Sequence, residues 1–196
     1  MKICLLPGDG IGVEIVDAAV EVLDAAAKKF GFEIEYDKQL IGGCAIDATG
    51  VPLPEATIAS AKAADAVLLG AVGGPKWDNV APDIRPEKGL LGIRKALGLY
   101  CNLRPMTVSK FTAHLSPLKT ERAEGADLLI VRELTGGIYF GEHNEAHLNA
   151  DGVEEASDVE LYTRPEVERI SRFAFEAAKK RRGKVTSVDK ANVLGS

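Results

Sequence analysis

Strand and helix patterns alternate along the first part of this chain, and that alternation limits the fold more than any single motif. Lys2–Leu6 predicts a first strand, the alternating segment Phe32–Ile41 predicts a strand with one wet face, and Ala66–Ala71 predicts a buried strand. A helical pattern ending at Gly31 follows the first strand, and an Ala-rich helix at Glu55–Ala64 precedes the third. Such alternation is typical of an α/β layered domain with a largely parallel sheet.

Two longer helices carry apolar stripes that we expect to face the core. In the first helix, apolar residues recur at gaps of three or four and form the stripe Ile15, Ala19, Val22, Ala26 and Phe30. Near the other end of the chain, Thr163 and Glu166 have the spacing of a capping box. The face predicted for that helix is Val167, Ile170, Ala174 and Ala177. A further strand is predicted at Lys184–Val188.

Composition excludes several classes of protein. With 196 residues, 46% hydrophobic and 27% charged, the chain has the composition of a globular protein. A net charge of -5 gives no general attraction to nucleic acid or to an anionic membrane. Because no span of about 20 apolar residues is present and Pro7 interrupts the N-terminus early, we expect a cytoplasmic protein. Three widely spaced cysteines without a CxxC motif argue against a disulfide framework and a zinc site.

The turn Gly8–Gly12 has glycines at every second position between a predicted strand and a predicted helix. Such a turn lets the backbone pack closely or approach a ligand phosphate, and the sequence leaves both interpretations open. The dinucleotide fingerprint G-x-G-x-x-G is absent, because Val13 stands where its third glycine would be.

The segment Asp127–Gly141 combines a short apolar run with charged and aromatic residues. Leu128–Val131 predicts a strand buried on both faces, and Arg132, Glu133 and Tyr139 follow where that strand leaves the core. A guanidinium and a phenol at a strand end suggest a site that binds an anion and moves a proton. The alternative is a strand-end ion pair with an interfacial tyrosine.

Other segments place similar chemistry at the ends of predicted elements. Arg94, Arg104 and Lys190 lie at such ends, which suits a dicarboxylate substrate undergoing proton transfers. On one predicted helical face, Leu90 and Leu91 are bracketed by Glu87 and Arg94, a pattern that suits a ligand with one apolar and one anionic end. Trp77 follows a predicted strand beside two glycines, as a packing anchor or a ligand contact. The pair His143 and His147 is interpreted as part of a solvated loop or arm, rather than as a metal pair.

Long blocks of this sequence resemble the isocitrate/isopropylmalate dehydrogenase family, and the resemblance covers essentially all 196 residues. The blocks that carry it are Gly8–Gly12, Gly70–Asp78, Glu87–Arg94, Asn102–Pro105, Val131–Gly141 and Ser187–Leu194. Several matched blocks in order are far more specific than one motif. The resemblance implies NAD-dependent oxidative decarboxylation of 3-isopropylmalate in leucine biosynthesis, with Mg or Mn, by a homodimer.

The resemblance also implies roles for individual residues. Arg94, Arg104 and Arg132 correspond to the residues that bind the malate carboxylates, Tyr139 to the acid that protonates the enolate carbon, and Lys190, from the partner subunit, to the residue that helps deprotonate the hydroxyl. The isopropyl pocket corresponds to Glu87, Leu90 and Leu91, with Val193 from the partner. The nicotinamide-facing segment corresponds to Gly74, Pro75, Lys76, Trp77 and Glu87.

One departure from the family is large, because the family continues for a comparable length beyond Ser196. By resemblance the missing half supplies the metal-binding aspartates and most of the adenosine side of the NAD site, so no metal ligand is assigned here. We expect an incomplete isopropylmalate-dehydrogenase-like fold, with residues 1–99 in a first α/β domain and 100–196 in a second, substrate and dimerisation domain with an arm at about 141–158. We expect this chain alone to be inactive. The alternative is a truncated, non-catalytic partner of the same family.

Overall fold

The chain divides into two compact units, Met1–Gly98 and a second unit that begins at Leu99. The structure is a computed structural model and describes residues 1–195. The observed division lies next to the predicted domain boundary, and the assignment of the two units to domains of the family stays a prediction.

The first unit is built on a parallel sheet with strand order β2-β1-β3, which confirms the predicted α/β class. Its elements are β1 (Lys2–Gly8), α1 (Ile11–Phe30), β2 (Glu35–Lys38), α2 (Gly43–Thr49), α3 (Glu55–Ala63), β3 (Ala66–Ala71) and α4 (Pro86–Ala96). Two 3₁₀ turns, Pro75–Trp77 and Pro82–Ile84, lie between β3 and α4.

The central strand β1 has a core on each of its faces, because successive side chains of a strand point to opposite sides. Ile3 and Leu5 pack with Val16 of α1 on one side. On the other side the cluster consists of Cys4, Leu6, Ile41, Ala61 and Ile93. The apolar run of β1 therefore reflects burial on both faces.

Helix α1 turns a different face to the sheet from the one predicted. Val16 is 2% exposed and Val20 and Leu23 pack beside it, whereas Val22 is 70% exposed and Phe30 71%. Both stripes have helical spacing, so periodicity alone does not choose between them. Close backbone approach at the start of the helix determines which face is buried, because a Cβ on Gly12 would lie 2.1 Å from the Pro7 carbonyl oxygen. The face that continues from Gly12 is therefore the buried one.

The second unit is based on an antiparallel pair of strands. Its elements are β4 (Cys101–Thr107), α5 (Thr120–Ala123), β5 (Asp127–Glu133), β6 (His143–Leu148), β7 (Glu154–Asp158) and α6 (Arg164–Lys179). β4 pairs with β5, and β6 pairs with β7 as a hairpin. The predicted capping box is confirmed, since Glu166 Oε2 accepts hydrogen bonds from both the backbone N–H and the hydroxyl of Thr163 at 2.7 Å.

Three expectations about strands are wrong. β3 is half-buried because it lies at the edge of its sheet. β5 is not buried on both faces, since Leu128 is 47% and Ile130 is 50% exposed in a sheet of two strands. Lys184–Val188 forms no strand, because no neighbouring strand pairs with it.

The polar segment that contains both histidines is a hairpin with exposed residues, and not an irregular loop. His143 Nδ1 lies 2.6 Å from Asp158 Oδ1, and His147 Nε2 lies 3.4 Å from Glu155 Oε1. Its role as an arm stays a prediction.

The two faces of α1 predict different costs for the same substitution. We expect Val16→Ala to lower the free energy of unfolding by roughly 2 kcal/mol, because it removes buried methyl groups and leaves a cavity. Val22→Ala on the exposed face is the matched control and should change stability by about 0.5 kcal/mol or less. Urea denaturation followed by the fluorescence of Trp77, the single tryptophan, measures both. Equal effects of the two substitutions would contradict this assignment of the buried face.

Candidate functional site

The Asp9 carboxylate joins three segments at one edge of the first sheet. Asp9 is 3% exposed and lies in the turn between β1 and α1. Its Oδ2 accepts hydrogen bonds from the backbone N–H groups of Gly43 and Gly73, both at 2.7 Å. Its Oδ1 accepts one from the Cys44 N–H, also at 2.7 Å. The start of α2 and the loop after β3 are thereby held to the end of β1.

Glycines make this close arrangement sterically accessible. A Cβ on Gly8 would lie 1.9 Å from the Ala71 carbonyl oxygen, and one on Gly42 would lie 2.5 Å from Asp9 Oδ2. Close packing of backbone is thus the observed use of the Gly8–Gly12 turn. The three joined segments lie at the carboxyl ends of the parallel strands, which is where open α/β sheets bind ligands.

Trp77 packs on the start of α2 and is fixed by an ion pair beside it. A Cβ on Gly43 would lie 2.3 Å from the Trp77 ring, so the indole lies flat against this glycine. Asp47 Oδ2 accepts a hydrogen bond from Lys76 Nζ at 2.6 Å, and Asp47 Oδ1 accepts one from Trp77 Nε1 at 3.2 Å. The bond from Lys76, followed by the bond from Trp77, lowers the pKa of the Asp47 carboxyl. Trp77 is therefore a packing anchor in this structure.

A pocket of about 310 Å³ opens beside the same indole. Its lining residues are Gly74, Trp77, Asp78, Arg85, Pro86 and Glu87. Three of them, Gly74, Trp77 and Glu87, belong to the segment predicted to face the nicotinamide. Pro75 and Lys76 lie in the adjoining 3₁₀ turn, with Lys76 directed to Asp47. Asp78 and Arg85 lie within the Gly74–Glu87 loop that by resemblance faces the nicotinamide, although neither was named as a site residue.

Helix α4 carries the four residues predicted for an apolar and an anionic end of one ligand. Glu87 is exposed in its first turn, Leu90 and Leu91 are half-buried, and Arg94 is half-buried in the last turn. The helix is held by Ile93, which is buried in the core of the first unit. Gly89 meets Pro52 closely enough that a Cβ would lie 2.5 Å from its carbonyl oxygen.

In the second unit, the β4–β5 register brings Arg104 and Arg132 to one face. Asn102 and Arg132 are directly opposite each other, and Arg104 lies two residues from Asn102 on the same strand. Side chains at such positions share a face. Arg104 Nε donates a hydrogen bond to Asn102 Oδ1 at 2.9 Å, so Asn102, which sequence reasoning had not assigned, orients one of the two arginines. Two guanidinium groups on one face suit an anionic ligand.

Tyr139 belongs to the same group of residues. The Arg132 guanidinium carbon lies 5.2 Å from the centre of the Tyr139 ring, a cation–π contact. The Tyr139 side chain is exposed, so its phenol is accessible to a ligand. The structure therefore brings together three residues that sequence analysis had singled out separately, namely Arg104, Arg132 and Tyr139.

Glu133 forms the strand-end ion pair that was the alternative interpretation of this segment. Its side chain is 9% exposed, and its Oε1 accepts a hydrogen bond from Arg169 Nη2 at 2.7 Å. Its Oε2 accepts one from the Gly136 N–H at 2.6 Å, and the Thr135 hydroxyl donates to Oε1 at 3.0 Å. Arg169 also stacks on Tyr100, with its guanidinium carbon 4.7 Å from the ring centre. The ion pair is thus observed at Glu133, while Arg132 and Tyr139 contact each other and their role in binding and proton transfer stays a prediction.

The last two predicted site residues lie apart from this group. Lys190 and Val193 are exposed in a turn in which the Val193 N–H donates to the Lys190 carbonyl at 2.9 Å. Within residues 1–195, no hydrogen bond or ring contact joins their side chains to Arg132 or Tyr139.

Two further observations bear on cofactors and on membranes. Across the described part of the chain, no group of three or more His, Cys, Asp or Glu residues is placed to hold a metal ion. Among the same residues, no helix is long and apolar enough to span a membrane.

Comparison with known proteins places the chain in a family. The family model described as isocitrate/isopropylmalate dehydrogenase matches residues 2–196. A 3-isopropylmalate dehydrogenase from Bacillus licheniformis is 60% identical over 195 residues, covering 100% of this chain and 53% of the relative. A chloroplastic 3-isopropylmalate dehydrogenase from Arabidopsis thaliana is 57% identical over 192 residues, covering 98% of this chain and 47% of the relative.

Solved structures agree with this assignment. An isocitrate dehydrogenase from Methylococcus capsulatus matches with a TM-score of 0.71 and 33% identity, covering 93% of this chain and 49% of that one. A beta-decarboxylating dehydrogenase from Thermococcus kodakarensis matches with a TM-score of 0.68 and 37% identity, covering 98% and 50%. The chain belongs to the isocitrate/isopropylmalate dehydrogenase family. It spans about half the length of the curated relatives it matches.

The lowered pKa of Asp47 predicts how Trp77 responds to acid. A carboxyl whose pKa is lower when folded stabilises the fold above its unfolded pKa of about 3.9 and loses that contribution as pH falls through the folded value. We expect the fluorescence of Trp77 to stay constant on acidification past the ordinary Asp range and to change below it. Asp47→Asn should remove this transition, and Asp83→Asn on the exposed neighbouring turn is the control. Circular dichroism during the titration separates a local change from unfolding, and an unaltered transition in Asp47→Asn would contradict the assignment.

Glu133 predicts a local effect in the second unit. Glu133→Gln should lower the free energy of unfolding by about 1 to 2 kcal/mol, because it leaves the Arg169 guanidinium without a carboxylate. Hydrogen exchange at the Gly136 amide should become faster, since its charged acceptor is lost. Glu142→Gln, on an exposed side chain, is the control. Unchanged exchange at Gly136 would show that Glu133 does not fix this loop.

Proposed function

We propose that this chain is the N-terminal portion of a 3-isopropylmalate dehydrogenase, which carries out NAD-dependent oxidative decarboxylation of 3-isopropylmalate to 2-oxoisocaproate in leucine biosynthesis. The observation that carries the proposal is the arrangement of Arg104 and Arg132 on one face of the β4–β5 pair, with Tyr139 beside Arg132. That arrangement combines anion binding with a proton donor. Relatives of 57% and 60% identity that carry this enzyme's name support it.

The arginines in this proposal bind the carboxylates of the substrate. A guanidinium presents paired N–H donors that match a carboxylate, and it stays charged at any physiological pH. Arg94, Arg104 and Arg132 take this role by resemblance to the family. The apolar side chains of Leu90 and Leu91, with Glu87 and the partner's Val193, contact the isopropyl group. An isocitrate carboxylate at that position would be left without a polar partner among the leucines, which disfavours isocitrate.

The proton transfers in this proposal belong to Lys190 and Tyr139. Lys190, acting from the partner subunit, helps to remove the proton of the substrate hydroxyl as the carbon is oxidised. Loss of CO₂ then leaves an enolate, and the Tyr139 phenol donates a proton to its carbon. A positioned acid of this kind contributes on the order of 10²- to 10⁴-fold to the rate.

In this proposal the first unit contacts the nicotinamide side of NAD. The pocket beside Trp77 lies at the carboxyl ends of the strands, and the glycines at 73 and 74 let the backbone approach a ring. Gly74, Pro75, Lys76, Trp77 and Glu87 would face this part of the cofactor, which accepts the hydride when bound. The described residues contain no group of three or more His, Cys, Asp or Glu that could hold Mg or Mn, and in this proposal the remainder of the longer enzyme supplies the metal ligands. We also propose that the enzyme is a homodimer located in the cytoplasm.

Activity of the protein from its complete reading frame tests this function. We expect NADH formation from 3-isopropylmalate in the presence of Mg or Mn, none from isocitrate, and no turnover by the 196-residue chain alone. A preference for isocitrate would overturn the substrate assignment. Inactivity together with co-purification of a longer relative would favour the non-catalytic partner instead.

Removal of the Tyr139 hydroxyl tests the proton donor. Tyr139→Phe should lower kcat by about 10²-fold or more, with a smaller change in the KM for 3-isopropylmalate, because the phenol acts in the proton transfer. Tyr36→Phe is the matched control, since the Tyr36 hydroxyl is bonded to Asp24 on the sheet of the first unit. A kcat within twofold of the unsubstituted enzyme in Tyr139→Phe would rule out this role.

A further inference from the structure

We propose that Asp9 is a positioning residue for the cofactor-side pocket, acting through the backbone of Gly73 and of the start of α2. The proposal rests on the proposed function for what the pocket binds. It assigns to Asp9 no contact with substrate or cofactor. What it assigns is the placement of Gly74 and Trp77, which line the pocket.

Backbone N–H groups supply the hydrogen bonds to the buried Asp9 carboxylate. A charge buried to this extent is costly unless hydrogen bonds compensate for it. In the described residues no lysine, arginine or histidine forms a salt bridge with Asp9, and three backbone N–H groups at 2.7 Å take that place. Its bonds therefore determine where backbone segments lie.

The backbone segments that Asp9 binds lie next to residues of the pocket lining. Gly73 immediately precedes Gly74, a pocket residue, and its N–H bond to Asp9 fixes the loop at that point. Gly43 is the residue against which the Trp77 ring packs. Two of the three hydrogen bonds of Asp9 are thus made to residues next to the pocket lining. Gly73 adjoins Gly74 in the chain, and Gly43 contacts Trp77. A carboxylate that served only the core would have no reason to select these two segments.

Asparagine, the neutral isostere of aspartate, cannot make the same three hydrogen bonds at position 9. Oδ2 accepts from both Gly43 and Gly73, and Oδ1 accepts from Cys44. In Asp9→Asn one of these positions becomes an NH₂ donor, which faces at least one backbone N–H whichever way the amide is turned. The loop at Gly73, the start of α2, or both must then shift.

The experiment compares kinetic constants in the enzyme from the complete reading frame. Asp9→Asn should raise the KM for NAD on the order of tenfold or more, as expected for the loss of hydrogen bonds to a charged group. The KM for 3-isopropylmalate should stay within about twofold, because the backbone N–H groups that Asp9 binds lie in α2 and in the loop after β3, and not in α4 or the second-unit strands that carry the substrate residues of this proposal. Asp37→Asn is the matched control, because Asp37 also accepts two side-chain hydrogen bonds in the first unit, at 2.7 and 2.8 Å from Gln39 and Ser60, away from the pocket.

A spectroscopic measurement separates this inference from the proposed function. Acrylamide quenching of Trp77, taken as the difference between each enzyme and its Trp77→Phe counterpart, should increase in Asp9→Asn and stay unchanged in Asp37→Asn, whether or not the enzyme oxidises 3-isopropylmalate. If the unsubstituted enzyme is inactive but quenching increases as expected, the function fails and the positioning role stands. Unchanged quenching and an unchanged KM for NAD would overturn the positioning role, as would an equal rise in both KM values.

A second variant covers the case in which Asp9→Asn does not fold. Gly73→Ala keeps the core intact but places a side chain at φ +93°, a conformation that L residues rarely adopt, and its Cβ would meet Glu87 Oε1 at 3.1 Å. It should likewise raise the KM for NAD and increase the quenching of Trp77. A folded Gly73→Ala enzyme with both values unchanged would show that the Gly73 loop does not set the pocket, and the proposal would fail.

Discussion

Burial of β1 on both faces is the constraint on which the first unit depends. The strand is central in its sheet, with α1 covering Ile3 and Leu5, and the cluster around Ile93 covering Cys4 and Leu6. Since β1 cannot shift by one residue without exchanging these two faces, its register is strongly determined. The position of its carboxyl end follows, and with it the position of the turn that carries Asp9. The core around β1 therefore determines where the candidate cofactor-side pocket lies.

The two units build their sites in different ways. In the first, a buried carboxylate holds loops by their backbone, and the side chains that line the pocket are carried on those loops. In the second, the candidate arginines Arg104 and Arg132 lie on the strands themselves, and pairing of Asn102 with Arg132 sets their spacing. Glu133 then fixes the loop that carries Tyr139. Sites on strands are held more rigidly than sites on loops, so the loop-borne pocket depends more on a single anchoring group.

Local patterns predicted much of the fold, because strand alternation and capping are local effects. The positions of β1, β3, β5, α3 and α6 agree closely with the sequence analysis, and the capping box at Thr163 was recognised from its spacing. The face of α1 was not predictable from its stripes, because both have helical period and close approach at Gly12 decides between them. Burial of β3 and β5 was overestimated for a similar reason, since burial depends on how many strands and helices surround an apolar run.

The candidate site was only partly visible in the sequence. Arginines at strand ends and a tyrosine after a glycine pair are recognisable by chemistry alone, and the structure brings Arg104, Arg132 and Tyr139 together. Asp9 and Arg169 were missed because their partners are distant in sequence, 34 to 64 residues away for Asp9 and 36 for Arg169. Asn102 was missed because its place opposite Arg132 depends on the register of β4 and β5. A lone acidic residue in a glycine turn was the available signal for Asp9.

The two-stranded sheet of β4 and β5 has open edges, and these affect how the second unit behaves in solution. Within residues 1–195, apolar Leu128 and Ile130 are exposed in a sheet of two strands, and the outer edges of such a sheet can pair with a further extended segment. Protein concentration is therefore a physical variable for this unit in solution, as temperature and pH are.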